Sequence, residues 1–238
     1  MGLFDVFKGG SGLKKHMDRV GNKRAQQHER WESIQVLAKD GSEEAIRALL
    51  VRFTIRVDPS ITDGEEKNAA FHGIVQHGEA AIGPVKDFLA SSETLAWPLK
   101  ILREIQSEEQ VTTTLLQLLS TMDTEYERDP HKKIDVIATF EEHKDPRVVE
   151  AVVRFLGDMN ETVRFHAAGA IFHQDDAEQA RDALTKAFLA EESVRVRMRI
   201  LDGYIDRGWD LDGVKEAAAA KMPAGYTLGK KGEIRKKG

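Results

Sequence analysis

A short apolar pattern recurs along the chain at intervals of one helix hairpin. It consists of an apolar residue, two spacers and an apolar pair: Ile46-x-x-Leu49-Leu50, Val85-x-x-Phe88-Leu89, Leu115-x-x-Leu118-Leu119 and Val152-x-x-Phe155-Leu156. A weaker copy has Leu184 with Phe188-Leu189. The second members of the pairs fall at 50, 89, 119, 156 and 189, with gaps of 39, 30, 37 and 33 residues. A repeat of this length is one supersecondary unit that must stack on its neighbours to bury its apolar face. Strand-period alternation is nearly absent, whereas apolar residues at helical spacing run through most of the chain.

The expected architecture is therefore all-α. It is a right-handed α-solenoid of about six antiparallel helix pairs over residues 18–221, preceded by a flexible or capping segment (1–17) and followed by a basic tail (222–238). The pairs are expected at 18–39 and 42–56, 64–77 and 79–90, 93–106 and 108–122, 130–143 and 146–157, 160–173 and 176–190, and 192–207 and 211–221. Asp129-Pro130, Asp145-Pro146 and Asp175-Asp176 precede several of these helices. Asp accepts first-turn N–H groups, and Pro at the first helical position loses no needed donor. Pro84 and Pro98 either kink their helices or mark the true first turn. In the tail, Tyr226-Thr227-Leu228 and Glu233-Ile234-Arg235 flank Gly229-Lys230-Lys231-Gly232, which reads as a small β-hairpin or an extended tail.

Charge is unevenly distributed in the 238 residues, whose net charge is −5. Residues 1–30 carry +4 and residues 222–238 carry +4, which leaves −13 on the 191 residues between them. An acidic body repels a phosphate backbone and disfavours a nucleic-acid groove along its length. The chain has no cysteine, which excludes disulfides, thiol catalysis and Cys-ligated metal. No apolar run approaches the roughly 20 residues of a membrane span. Met1 to Phe7 lacks the basic start of a secretory signal. A cytoplasmic location is the expectation.

Residues 160–171 (Asn-Glu-Thr-Val-Arg-Phe-His-Ala-Ala-Gly-Ala-Ile) and 192–201 (Glu-Ser-Val-Arg-Val-Arg-Met-Arg-Ile-Leu) share an acidic start, a Val-Arg step and a following apolar helix. With the His77-Gly78-Glu79-Ala80-Ala81-Ile82-Gly83-Pro84-Val85 stretch, they resemble HEAT repeats, particularly the short bacterial kind of phycobilisome-lyase-type proteins. The resemblance spans roughly residues 20–221 and is strongest over 140–205. It implies a scaffold or adaptor, since most members of that family are such, with a few enzymes among them. It also implies that Arg164 and Arg195 form a ladder of polar contacts between repeats, with Asp158 as the partner of Arg164.

Signatures of chemistry are missing from the sequence. A single His28-Glu29 dipeptide cannot build the di-iron site that repeated His-Glu pairs make. His166 and His173 share a helix face but lack a third ligand at suitable spacing. Gly9-Gly10-Ser11-Gly12 lacks the Lys-Ser/Thr of a phosphate loop and reads as a linker. The adjacent carboxylates Glu65-Glu66, Glu108-Glu109, Glu141-Glu142 and Glu191-Glu192 point about 100° apart on a helix and read as surface acids. An alkylpurine DNA glycosylase would need a basic face that this acidic body lacks. No cofactor and no metal are expected.

The reading is a non-enzymatic scaffold that presents a concave helical surface to a protein partner. Candidate contact residues precede the apolar pairs: Arg47, Lys86, Asp87, Gln117, Arg154 and Lys186. Their basic members suit an acidic segment. The competing classes are a HEAT-like enzyme (a lyase or a glycosylase) and a membrane-surface adaptor. For the last, Leu3, Phe4 and Phe7 lie on one side of a short helix that either caps the first helix pair or docks elsewhere. Residues 1–8 would give only weak peripheral contact with a membrane.

Overall fold

The computed structural model describes the backbone of residues 5–237 and the side chains of residues 12–237. It is mostly helical, with thirteen α-helices among the described residues and one two-stranded antiparallel sheet. The chain divides into two compact units, residues 1–111 and 112–238. That boundary falls within a helix of the stretch expected from sequence to form one stack.

The first unit holds α1 (Asp5–Val20), α2 (Gln27–Asp40), α3 (Glu43–Val51), α4 (Ser60–Val75), α5 (Ile82–Ser91) and α6 (Ala96–Ile105). Helix α7 (Glu108–Ser120) carries the boundary. The single helix expected over 18–39 is broken at 21–26. There Gln26 caps α2 in a reciprocal box with Glu29, satisfying first-turn donors that a continuous helix would not leave open. Helix α1 runs through Gly9–Gly12, the stretch read as a linker. Helix α2 ends at Gly41, whose φ of 66° is the left-handed geometry that glycine adopts without penalty. Helix α2 packs on α4 and α4 on α6, while α3 packs on α5. Helices α1 to α4 thus each meet the helix two places ahead, α1 packing on α3 as well.

The second unit repeats this step. It contains α8 (His131–Thr139), α9 (Val148–Val152), α10 (Glu161–His173), α11 (Arg181–Ala190), α12 (Val194–Arg207) and α13 (Lys215–Ala219). Helix α8 packs on α10 and α10 on α12, while α11 packs on α13. A 3-10 turn over 153–157 continues α9 and lies against α11. Pro84 and Pro98 are each the third residue of a helix, within the first turn where their missing N–H costs nothing.

The recurring apolar positions build the core. Ile46, Leu49, Leu50, Val85, Leu89, Leu115, Leu119, Val152, Phe155, Leu156, Leu184 and Phe188 are all buried. Phe88, Leu118 and Leu189, the other pair members, are only half-buried. The tail is the hairpin alternative. Strand β1 (Tyr226–Leu228) pairs antiparallel with β2 (Ile234–Lys236), Leu228 opposite Ile234. Such a short hairpin is marginal alone. Here it is pinned to α12 by the Tyr226 hydroxyl, which donates to Asp202 Oδ1 at 2.6 Å, and by Lys236 Nζ, 2.8 Å from the same atom.

Candidate functional site

Two open cavities, each of about 560 Å³, flank the segment 148–157 of the second unit. The first lies between that segment and α7, lined by Thr113, Leu116, Gln117, Arg147, Ala151 and Arg154. The second lies between it and α11, lined by Val153, Leu156, Lys186, Ala187, Ala190 and Glu192, among others. Small residues create the space. Ala183, Ala187 and Ala190 recur at helical spacing on α11, and Gly157 ends the facing segment. Volumes of this size fall in the range of about 300–1,000 Å³ typical of recognition clefts.

Three of the residues selected from sequence line these cavities: Gln117, Arg154 and Lys186. Gln117 and Lys186 are exposed. Arg154 is held. Its Nη2 donates to the carbonyls of Leu119 at 2.8 Å and Met122 at 2.6 Å, and its guanidinium lies over the Phe155 ring, 4.4 Å from the centroid. It therefore ties down the chain at and just beyond the C-terminal end of α7, where the Leu119 carbonyl also accepts from the Met122 N–H at 3.1 Å. These bonds direct the guanidinium toward α7 rather than into the surface pair with Glu150 that sequence spacing allows.

The other three belong to the first unit. Arg47 on α3 pairs with Glu43 at 2.8 Å and with Asp87 on α5 at 2.6 Å. These hydrogen bonds, Asp87 first, hold the Arg47 guanidinium above its ordinary pKa. Asp87 is thus the partner of Arg47, and the two residues link neighbouring helices. Lys86 is half-buried on α5.

The polar ladder differs from the sequence expectation. The Asp158 carboxylate accepts from Lys133 Nζ at 2.9 Å and from the backbone N–H of Asn160 at 2.8 Å. Arg164 instead grips Glu191 in a two-pronged pair at 2.7 and 2.8 Å, and reaches Asp158 only at its backbone carbonyl. Distance decides this. Glu191 lies at the end of α11 beside the guanidinium fork, whereas Asp158 is closed in with Lys133. Burial raises the Glu191 pKa, but the bonds from Arg164 and the Ser193 N–H outweigh it and hold the carboxyl below its ordinary value. Arg195 is exposed. It stacks on Phe165 at 3.9 Å from the ring centroid and reaches Glu161 at 3.9 Å, so it acts as a surface cation–π contact rather than a buried rung.

Leu3 and Phe4 lie outside the described residues. Phe7 falls in α1, but its side chain also lies outside them. Among the described residues, no group of three or more His, Asp or Glu side chains is placed to hold a metal ion. No described helix is long and apolar enough to cross a membrane.

Sequence reasoning misses a buried charge network in the first unit. Glu66, fully buried, accepts from Arg30 Nε and Nη2, each at 2.9 Å, and from Arg52 Nε at 2.8 Å. Arg52 also donates to Asp63 Oδ1 at 2.8 Å, and Lys67 to Asp63 Oδ2 at 2.7 Å. Burial alone would raise the Asp63 pKa; the bonds from Lys67, Arg52 and the Val57 N–H outweigh it and bring it down to about 2. The one signal in the sequence is Arg52 directly after the apolar run Leu49-Leu50-Val51, at a position where the helix faces inward. Comparison with known proteins found no matching family model and no matching curated protein.

Proposed function

We propose that this protein is a non-enzymatic scaffold of HEAT-like α-solenoid type, a right-handed stack of helix pairs. It takes an acidic helical segment of a partner protein in the grooves on either side of residues 148–157, and acts in the cytoplasm. The observation that carries the reading is the convergence of Gln117, Arg154 and Lys186 on two neighbouring grooves floored by Leu116, Ala151, Val153, Leu156 and Ala187. An apolar floor with Arg154, Lys186 and Gln117 on its rim, beside the exposed carboxylates Glu150 and Glu192, fits an amphipathic helix whose acids meet the two cations. The two-ahead packing step within each unit and the repeated apolar pairs support the solenoid assignment.

Site-specific photo-crosslinking in the native cell tests this reading. A photoreactive residue at Gln117 or Lys186 should label the same partner, and one at the exposed Ile61 of the first unit should not. Capture should weaken with salt, because exposed pairs are screened over about 8–10 Å. Equal labelling from all three positions, or none from the groove, would reject the grooves as the binding surface.

A further inference from the structure

We propose that the first unit carries a second site, for a phosphate group, in the cavity of about 510 Å³ at the start of α2. Its walls include Lys23, Arg24, Gln27, Arg30, Arg56 and Asp58, so three cationic side chains besides the Glu66-paired Arg30 face one carboxylate. Lys23, Arg24 and Arg30 belong to the basic stretch 1–30, and Arg56 joins them from the acidic residues that follow it.

The state of the arginines separates this cluster from ordinary surface charge. Among the described residues, nearly every arginine is engaged by a carboxylate, a backbone carbonyl or both. Arg24, Arg56 and Arg128 have no side-chain partner there, and two of these three line this one cavity. Lys23 is likewise unpaired among the described residues and exposed beside them. Unpaired cations repel one another when brought together, so the cluster gains from an anion that bridges them. Two guanidinium forks and an ammonium favour a tetrahedral oxyanion with several acceptor oxygens over a single carboxylate.

The inner wall is built rather than incidental. Arg30 is 4% exposed, its fork is clamped by Glu66 at 2.9 Å, and its Nη1 donates to the Ala25 carbonyl. That contact fixes the turn on which Lys23 and Arg24 are carried. Gln27, the first residue of α2, adds the positive end of the helix to the same wall. The lining is polar throughout its cationic side, which suits a charged group and gives little purchase to an apolar body.

Titration calorimetry with pyrophosphate as the probe, at fixed ionic strength, tests the site on the full chain. Saturable binding is expected. In Arg24→Gln/Arg56→Gln, two exposed positions, affinity should fall by at least about tenfold, the loss of one charge-assisted contact or more. Arg128→Gln removes one unpaired charge elsewhere and should leave affinity within about twofold. Thermal denaturation without ligand checks that the double variant is folded. Vesicles containing phosphatidic acid distinguish the source of the phosphate. Co-sedimentation lost in the double variant identifies a lipid headgroup, and retention of pyrophosphate binding with no vesicle binding identifies a soluble ligand. Non-saturable heats, or equal loss in the double variant and Arg128→Gln, would overturn the site.

Discussion

Arg52 Nε lies 2.8 Å from Oε2 of Glu66, and neither side chain reaches solvent to any useful extent. Arg30 approaches the same carboxylate from α2, so one anion neutralises two buried guanidinium groups. A buried pair of this kind is a poor source of net stability but a severe loss when one member is removed. Glu66→Gln should therefore destabilise the protein by about 3–5 kcal/mol in urea denaturation, because Arg30 remains in the core with no charge opposite it and Arg52 keeps only Asp63. A cost below about 0.5 kcal/mol would show that water reaches this network.

The pH dependence of the same cluster has a definite sign. Asp63 ionises at about 2 in the folded protein, below its ordinary 3.8. A depressed acid contributes stability that is fully present above the unfolded value and is lost as pH falls toward the folded one. The window is thus about pH 4 down to 2, and the contribution is about 2 kcal/mol. Denaturation of Asp63→Asn and the parent protein should differ at neutral pH and converge through that window. A difference that stays constant across it would mean that the Asp63 charge carries none of the stability.

The repeated apolar pairs are tested by truncation. Leu119 is fully buried and Leu156 is 7% exposed on a groove wall. Each Leu→Ala change should cost within the usual core range of about 2–5 kcal/mol, with Leu156 toward its lower end because its cavity opens to solvent. Chemical denaturation gives both values.

Arg154 and Lys186 should separate structure from recognition. Arg154→Gln leaves the Leu119 and Met122 carbonyls without their guanidinium donor and should cost about 1–2 kcal/mol. Lys186→Glu, an exposed change, should leave stability within about 0.5 kcal/mol while weakening partner capture. Thermal denaturation run beside the capture assay resolves the two. An equal loss of stability in both variants would show that Lys186 is also a structural residue.

At the C-terminal hairpin, burial and the Asp202 acceptor push the Tyr226 hydroxyl up to about 12. A raised folded value means that this contribution is present below the ordinary value of 10 and is lost as pH rises through 12. Tyr226→Phe should lower stability at neutral pH by about 1 kcal/mol, and ultraviolet titration should show two late-ionising tyrosines in the parent, Tyr226 and the buried Tyr204, and one fewer in the variant. A parent titration with every tyrosine near 10 would place the hydroxyl away from Asp202.

Helical period, capping and turn chemistry are local properties, legible in the order of the amino acids alone. The Ile46, Val85, Leu115, Val152 and Leu184 repeats mark the buried faces. Pro84 and Pro98 narrow their positions to a kink or a first turn, and the Tyr226 and Ile234 stretches to a hairpin or an extended tail, and the structure selects the first turn and the hairpin. Each depends on residues within a few positions of one another, where the backbone dictates which side chains share a face. The partners of the charges are not legible in this way. Nothing within a few residues of Arg164 distinguishes Glu191 from Asp158, and nothing around Arg52 announces Glu66 together with Arg30. Those choices depend on which helices pack together and how closely, and an ionic side chain looks the same in sequence whether it ends in water or in the core. The grooves beside residues 148–157 and the cationic cavity at α2 have the same origin. They are spaces and charge groupings between elements distant in sequence, and only tertiary packing brings those elements together.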